Sequence, residues 1–196
     1  VTAKGEVHAY QFYPAVMFSH ARFTYTEVVA ILANTRGPEA AKRKERVPDL
    51  LNLHDVYRAL LQARRERGAV DFETTETQIV CDENGRIDKI VPRTRNDAHR
   101  LIEEAMLAAN VCSADFIAQG KQHGLYRVHE GPTPEKQDIL RSYLKAMAVG
   151  LSISENPQPS EFQAIAEATK VRPDAQQIHT MLLRSMQQAI YTPINS

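Results

Sequence analysis

Apolar residues along the chain recur mostly three and four positions apart, with a few short stretches of alternation, so helices are expected to dominate. The opening "VTAKGEVHAYQFYPAVMFSHA" alternates well enough for two short strands, with a turn at Lys4-Gly5 and an interruption at Pro14. Thr24-x-x-Glu27 has capping-box spacing, and "YTEVVAILAN" reads as the short helix that follows it. Residues 36 to 47, "RGPEAAKRKERV", are charged and lack an apolar period, which predicts a solvated loop. Pro48 suits the first turn of a helix carrying Leu50, Leu53, Val56, Tyr57, Leu60 and Leu61 at helical spacing, with Gly68 placed to end it.

"TQIVCDENGRIDKIV" reads as a hairpin, two β-rich runs around Asn84-Gly85. A long helix is predicted over about residues 95 to 119, ending near Gly120. Its apolar stripe runs through Leu101, Ala105, Ala108 and Cys112, with Ile102, Met106 and Ala109 beside it. Glu103 and Glu104 sit among these residues. Consecutive helical positions diverge by about 100°, so the two carboxylates cannot do the same job, and at least one approaches the packed side, where it needs a partner. "LYRVHEGP" is strand-like, and Thr133-Pro134 reads as an N-cap followed by proline at the first helical position. "SISENPQPS" is a turn-rich connection, and Ser160-x-x-Gln163 and Asp174-x-x-Gln177 have the spacing of capping boxes for two last helices. Helices alternate with hairpins without a βαβ rhythm, so the expected class is α+β.

Composition narrows the function. The 196 residues suit one domain, and 24 Lys and Arg balance 24 Asp and Glu, which argues against a generic polyanion coat. Cys81 and Cys112 have neither CxxC nor metal spacing, so a reducing cytoplasm is the expected compartment. No apolar run approaches the roughly 18 residues of a membrane span, and the N-terminus does not read as a signal peptide. The chain opens at Val1 and stops at "YTPINS", and is read as a piece of a longer protein.

No stretch is a self-sufficient catalytic motif: phosphate-loop, dinucleotide, zinc-protease and nucleophile-elbow patterns are absent. The seven His are scattered, and the acids of "DENGRID" are explained by a hairpin turn, so no metal site is expected. Phe72, just after a helix stop, is either a base-stacking aromatic or a core residue opening a strand. Tyr25, at a helix N-terminus, could meet a phosphate or ribose, or edge the core. Arg127 and His129 alternate onto one strand face, suited to phosphate contact or to solvent.

"SHARFTYTEV", "RRERGAVDFE", "RNDAHRLIEEAMLAANVCSADFI", "LYRVHEGPTPE" and "RPDAQQIHTMLLRSMQQAIYTP" occur in this order. Together they resemble the ribonuclease II family, in its ribonuclease R branch, within the RNB catalytic domain, over essentially the whole chain. The resemblance implies that residues 1–196 are part of an RNB exoribonuclease domain. It also implies a parent enzyme that hydrolyses single-stranded RNA processively, 3′→5′, to 5′-monophosphates with Mg²⁺. Phe72 would close the base stack at the 3′ end, and Tyr25 and Glu103 would lie by the terminal nucleotides and favour RNA over DNA. Glu104 would then be structural or supporting. Arg127, His129, Arg184 and Tyr191 match recurring positions taken as scaffold or supporting residues.

There are departures. The family's metal-binding aspartates are expected upstream of Val1, and its second stacking aromatic also lies upstream. An Arg-containing segment is expected after Ser196, and flanking OB-type RNA-binding domains are not in the chain. Phe18 stands where the family usually has a polar residue. The fragment is therefore expected to be inactive, to carry no metal, and to be prone to self-association through exposed sheet edges. The rival reading is a non-catalytic RNA-binding or assembly module on the same scaffold.

Overall fold

The computed structural model describes residues 1–69, 76–93, 95–121 and 123–195. It is α+β: helices dominate, and the described strands form two antiparallel pairs. The chain forms two compact units, Val1–Ala63 with Thr74–Ser113, and Arg64–Glu73 with Ala114–Ser196.

In the first unit the expected strands at the start do not form. Residues 6–24 run without a ladder, and Val16, Met17 and Phe18 stand exposed. Alternation creates a strand's two faces, but a strand also needs a hydrogen-bonding neighbour, and the described residues supply none. The turn at Lys4-Gly5 is present, closed by Gly5 N–H on Thr2 O at 2.9 Å. Gly5 has φ 76°, and a Cβ there would lie 2.2 Å from Ala59 O, so only glycine lets the chain approach so closely.

Helix α1 (Tyr25–Ala33) starts at the expected capping box. The stretch expected to be loop instead holds α2 (Pro38–Lys42) and a 3₁₀ turn at Lys44–Arg46. Pro38 is pre-organised for a first helical turn, and Ala40, 2% exposed, gives the short helix one buried anchor despite its charged neighbours. Pro48 opens α3 (Val47–Glu66) as expected, and Gly68 follows its end with φ 77°. Of the apolar stripe only Tyr57 is fully buried, and Leu53 is exposed.

The hairpin forms from β1 (Glu76–Cys81) and β2 (Ile87–Arg93), with Ile79 opposite Ile90. Its loop is longer than a two-residue Asn-Gly turn. Asp82 N–H bonds Arg86 O at 2.8 Å, and Asp82 Oδ1 accepts from Asn84 N–H and Arg86 N–H, each at 2.9 Å. Only Gly85 in this loop has positive φ, at 76°, so a three-residue loop with a glycine bulge replaces the turn that would need two such residues.

Helix α4 (Asp97–Gln119) matches the expected long helix. Leu101 and Cys112 are buried on its packed side together with Glu104, whereas Ile102 and Met106 face solvent. The packed stripe is thus narrower than the apolar pattern suggested.

The second unit is built around three helices, α5 (Pro134–Ala146), α6 (Pro159–Thr169) and α7 (Ala175–Ser185). Leu140 and Leu144, Phe162, Ile165 and Ala166, and Ile178 and Leu182 recur at three- and four-residue intervals and close one core, completed by Ile153. Full burial of such side chains contributes about 1.5–3 kcal/mol each. Thr133 caps α5 as expected, accepting from Lys136 N–H at 3.4 Å. Helix α6 does not start at Ser160: its cap position is Gln158, whose N–H donates to Glu161 Oε1 at 2.8 Å. Strand β3 (Tyr126–Val128) pairs with β4 (Ile190–Thr192), a strand too short for the pattern to announce.

Candidate functional site

The first unit gathers a polar group around the start of α4. Thr24 fixes the entry to α1: its hydroxyl accepts from Glu27 N–H at 3.2 Å, and its own N–H donates to Glu27 Oε2 at 2.7 Å. That backbone hydrogen bond, with one from the Thr24 hydroxyl, holds the Glu27 carboxyl below the usual carboxylate range. Tyr25, the next residue, opens α1 and is 41% exposed.

The ring of Tyr25 lies flat against that of His99, with centroids 3.9 Å apart and planes 20° from parallel. His99 is itself held by the cap of α4. Asn96 Oδ1 accepts from Ala98 N–H at 3.1 Å and His99 N–H at 3.3 Å, and the same oxygen lies 2.7 Å from His99 Nδ1. Asn96 N–H also lies 3.4 Å from His99 Nδ1, so the cap residue meets the imidazole with both its side chain and its backbone.

One turn further along α4, Glu103 forms a two-point ion pair with Arg95. Arg95 Nε donates to Glu103 Oε1 at 3.1 Å, and Arg95 Nη2 to Oε2. The side chains are 33% and 42% exposed, whereas Glu104 next door is only 5% exposed. Helical geometry thus separates the two acids, with Glu104 packed and Glu103 at the solvent-reaching edge.

Tyr25 and Glu103 are thus related only by way of α4: Tyr25 stacks on His99, Glu103 follows His99 by four residues, and Arg95 holds Glu103. Neither of these linking residues was singled out from the sequence. The four-residue spacing of His99 and Glu103 was legible, but the stack on Tyr25 depends on α1 meeting α4. Phe72 lies outside the described residues.

The second unit carries the other sequence candidates. Arg127, His129 and Arg184 line a cleft of about 810 Å³ together with Lys136, Leu183 and residues 186–189. Arg127 faces Tyr191 across the β3–β4 ladder, its guanidinium 5.7 Å from the ring centroid, a cation–π contact. His129 Nε2 donates to Gln187 O, and Lys136 Nζ to Met186 O at 2.8 Å. These two bonds pin the link between α7 and β4. His129 and Tyr191 thus have structural partners, while Arg127, Lys136 and Arg184 give the cleft its positive charge.

Among the described residues, no group of three or more His, Cys, Asp or Glu side chains could hold a metal ion. Mg²⁺ binds through carboxylates that leave it octahedral. Glu103 is committed to Arg95 and Glu104 is buried, so the described side chains do not fit such an ion. No described helix is long and apolar enough to cross a membrane, and Cys81 and Cys112 are both free thiols.

The architecture defines the class first. Mycoplasma genitalium RNase R in complex with ribose-methylated single-stranded RNA superposes with a TM-score of 0.87 at 25% identity, covering 97% of this chain and 30% of that one. The same protein in complex with double-stranded RNA gives a TM-score of 0.83 at 26% identity, covering 97% of this chain and 34% of that one. The chain belongs to the RNB domain family, whose model matches residues 1–196. Ribonuclease R of Vibrio cholerae is 42% identical over 198 residues, covering 100% of this chain and 24% of that protein. Ribonuclease R of Escherichia coli is 41% identical over 197 residues, again covering 100% of this chain and 24% of that protein. The chain thus spans about a quarter of the length of the curated relatives it matches.

Proposed function

We propose that this chain is part of the catalytic domain of a processive 3′→5′ exoribonuclease, which hydrolyses single-stranded RNA to 5′-monophosphates with Mg²⁺ in the cytoplasm. The observation that carries the reading is the Tyr25–His99 stack beside the Arg95–Glu103 pair, in a chain of this family. A phenol stacked on His99 and a carboxylate one helical turn beyond His99 suit a ribose 2′-hydroxyl. That hydroxyl is donor and acceptor at once, and DNA offers nothing in its place. Tyr25 and Glu103 are the residues we assign to this discrimination, and Phe72 to stacking on a terminal base.

Arg127, His129, Arg184 and Tyr191 are assigned supporting roles, the first and third as cations of their cleft, the others as ties within the second unit. Metal ligands are assigned to parts of the parent other than the described residues. By itself the chain is expected to be inactive and prone to self-association through exposed sheet edges.

The test uses the full-length protein carrying this chain, 5′-labelled single-stranded RNA and Mg²⁺. The expected result is stepwise shortening from the 3′ end, without internal cuts. RNA that is bound but left intact would favour the rival reading, a non-catalytic RNA-binding module. Phe72→Ala is expected to shift the length of the final product. Glu103→Ala is expected to narrow the preference for RNA over DNA or to slow cleavage, and unchanged rate and preference would leave Glu103 as ordinary structure.

A further inference from the structure

We propose that Arg95 and His99 are positioning residues for ribose recognition: Arg95 sets the plane of the Glu103 carboxylate, and His99 sets the plane of the Tyr25 ring. The proposal rests on the reading that Tyr25 and Glu103 sense the 2′-hydroxyl, and adds what holds them in place.

A glutamate at a half-exposed helix edge has three free side-chain torsions, and holding them in one orientation costs conformational entropy. The planar fork of Arg95 meets both carboxylate oxygens, Nε to Oε1 at 3.1 Å and Nη2 to Oε2. The pair therefore fixes the orientation before any ligand arrives. It does not exhaust the acceptor. An ionised carboxylate has about four lone-pair sites, and the two Arg95 bonds take two of them. The remaining pair can accept a hydroxyl proton.

His99 works by a different route. The Asn96 side-chain oxygen caps α4 through two backbone N–H groups and also lies 2.7 Å from His99 Nδ1, so the imidazole is held at the helix end. That ring presents a flat face to Tyr25 at 3.9 Å. The orientation of Tyr25 is thus set by α4 as well as by its own helix. His99 and Glu103 are four residues apart on α4, which puts their Cβ atoms about 5–6 Å from each other. The ring of Tyr25, through His99, and the carboxylate of Glu103 are consequently both referred to α4.

The test uses the full-length ribonuclease and measures kcat and KM on an all-ribose oligonucleotide and on one with a single 2′-deoxy residue near the 3′ end. Wild type is compared with Arg95→Met, Arg95→Lys, His99→Ala, His99→Phe and Glu103→Gln. Arg95→Met and His99→Ala are each expected to cut the ribose-over-deoxyribose ratio of kcat about tenfold, with KM for the all-ribose substrate within about twofold. His99→Phe keeps an aromatic face for Tyr25 and is expected to retain most of the ratio. Arg95→Lys supplies a point charge without the fork and is expected to recover little of it. The double variant Arg95→Met/Glu103→Gln should be no worse than Glu103→Gln alone, because both act on one carboxylate.

Thermal melting of every variant separates positioning from folding, and His99→Phe and Arg95→Lys serve where the harsher changes fail to fold. If Glu103→Gln lowers the ratio while the Arg95 and His99 variants keep it, the positioning role is overturned and the 2′-hydroxyl reading stands. If Glu103→Gln also leaves it unchanged, both are overturned. Equal loss of kcat on the two substrates would likewise overturn the proposal, since a merely structural role moves both together.

Discussion

Glu161 makes three hydrogen bonds with one carboxylate, accepting from Ser154 N–H at 2.7 Å, Ser154 Oγ at 2.9 Å and Gln158 N–H at 2.8 Å. The bond from Gln158 N–H, then that from Ser154 N–H, draws its carboxyl below the ordinary 4.5. A carboxyl with a depressed folded pKa stabilises the fold above its unfolded value, and that contribution disappears as pH falls through the folded value. Glu161→Gln is therefore expected to lower Tm at pH 7, and to lower it less at a pH low enough to protonate the folded carboxyl. Melts of both proteins at the two pH values check this, and an equal Tm loss at both would mean that charge plays no part. Asp174 shows how a local signal can be diverted. Its sequence position is that of a cap, but its carboxylate forms a two-point pair with Arg172, both contacts at 2.8 Å, and caps nothing. Capping spacing specifies a position, while a guanidinium two residues away decides what the oxygen bonds. Glu103 and Glu104 were separable from helical geometry alone, since one of two adjacent acids had to approach the packed side. Arg95 as partner was not legible, because it lies before the first turn of α4, where helical spacing no longer applies.

Elements whose cause is local were the ones readable in advance. Helices α1, α3, α4 and α5 start or stop at caps, prolines and glycines that the chain itself carries. What depends on a distant partner was not readable. The alternating start of the chain lacks a ladder, α2 owes its existence to burial of Ala40, and the three residues of β4 acquire meaning only opposite β3. The same distinction explains the candidate site: Tyr25 was visible as a residue at a helix start, whereas its stack on His99 is a contact between helices far apart in sequence. Thr24→Ala tests the local side of this argument. It removes the side-chain acceptor for Glu27 N–H, and loss of such a cap costs about 1 kcal/mol (roughly 0.5–2) of stability. A fall of that size in the denaturation free energy of the full-length protein is expected, accompanied by reduced discrimination between RNA and DNA because Tyr25 starts at the loosened turn. Lost stability with unchanged discrimination would show that His99 alone suffices to hold the ring.

At the scale of the whole chain, charge and ligand supply decide what these residues can do unaided. Lys and Arg number 24 and Asp and Glu 24, so the chain as a whole gains little from releasing counterions when it meets RNA. Local cations such as Arg127 and Arg184 give one cleft a positive lining, but cationic side chains alone do not activate water against a phosphodiester. Hydrolysis of a phosphodiester by metal ions needs anionic ligands to hold them, and the described residues offer no such group. Glu103 is a poor substitute, because taking it as a ligand would break its two-point pair with Arg95. The 196-residue chain alone is accordingly expected to leave labelled single-stranded RNA intact, with or without Mg²⁺, under conditions where the full-length protein degrades it. Gel analysis of the labelled RNA over time provides the measurement. Mononucleotide release that copurifies with the chain, requires Mg²⁺ and disappears in Glu103→Gln would place metal binding at the Tyr25–Glu103 group and overturn its assignment to ribose recognition alone. Release unaffected by Glu103→Gln would instead show that the residues outside the described set carry a metal site of their own.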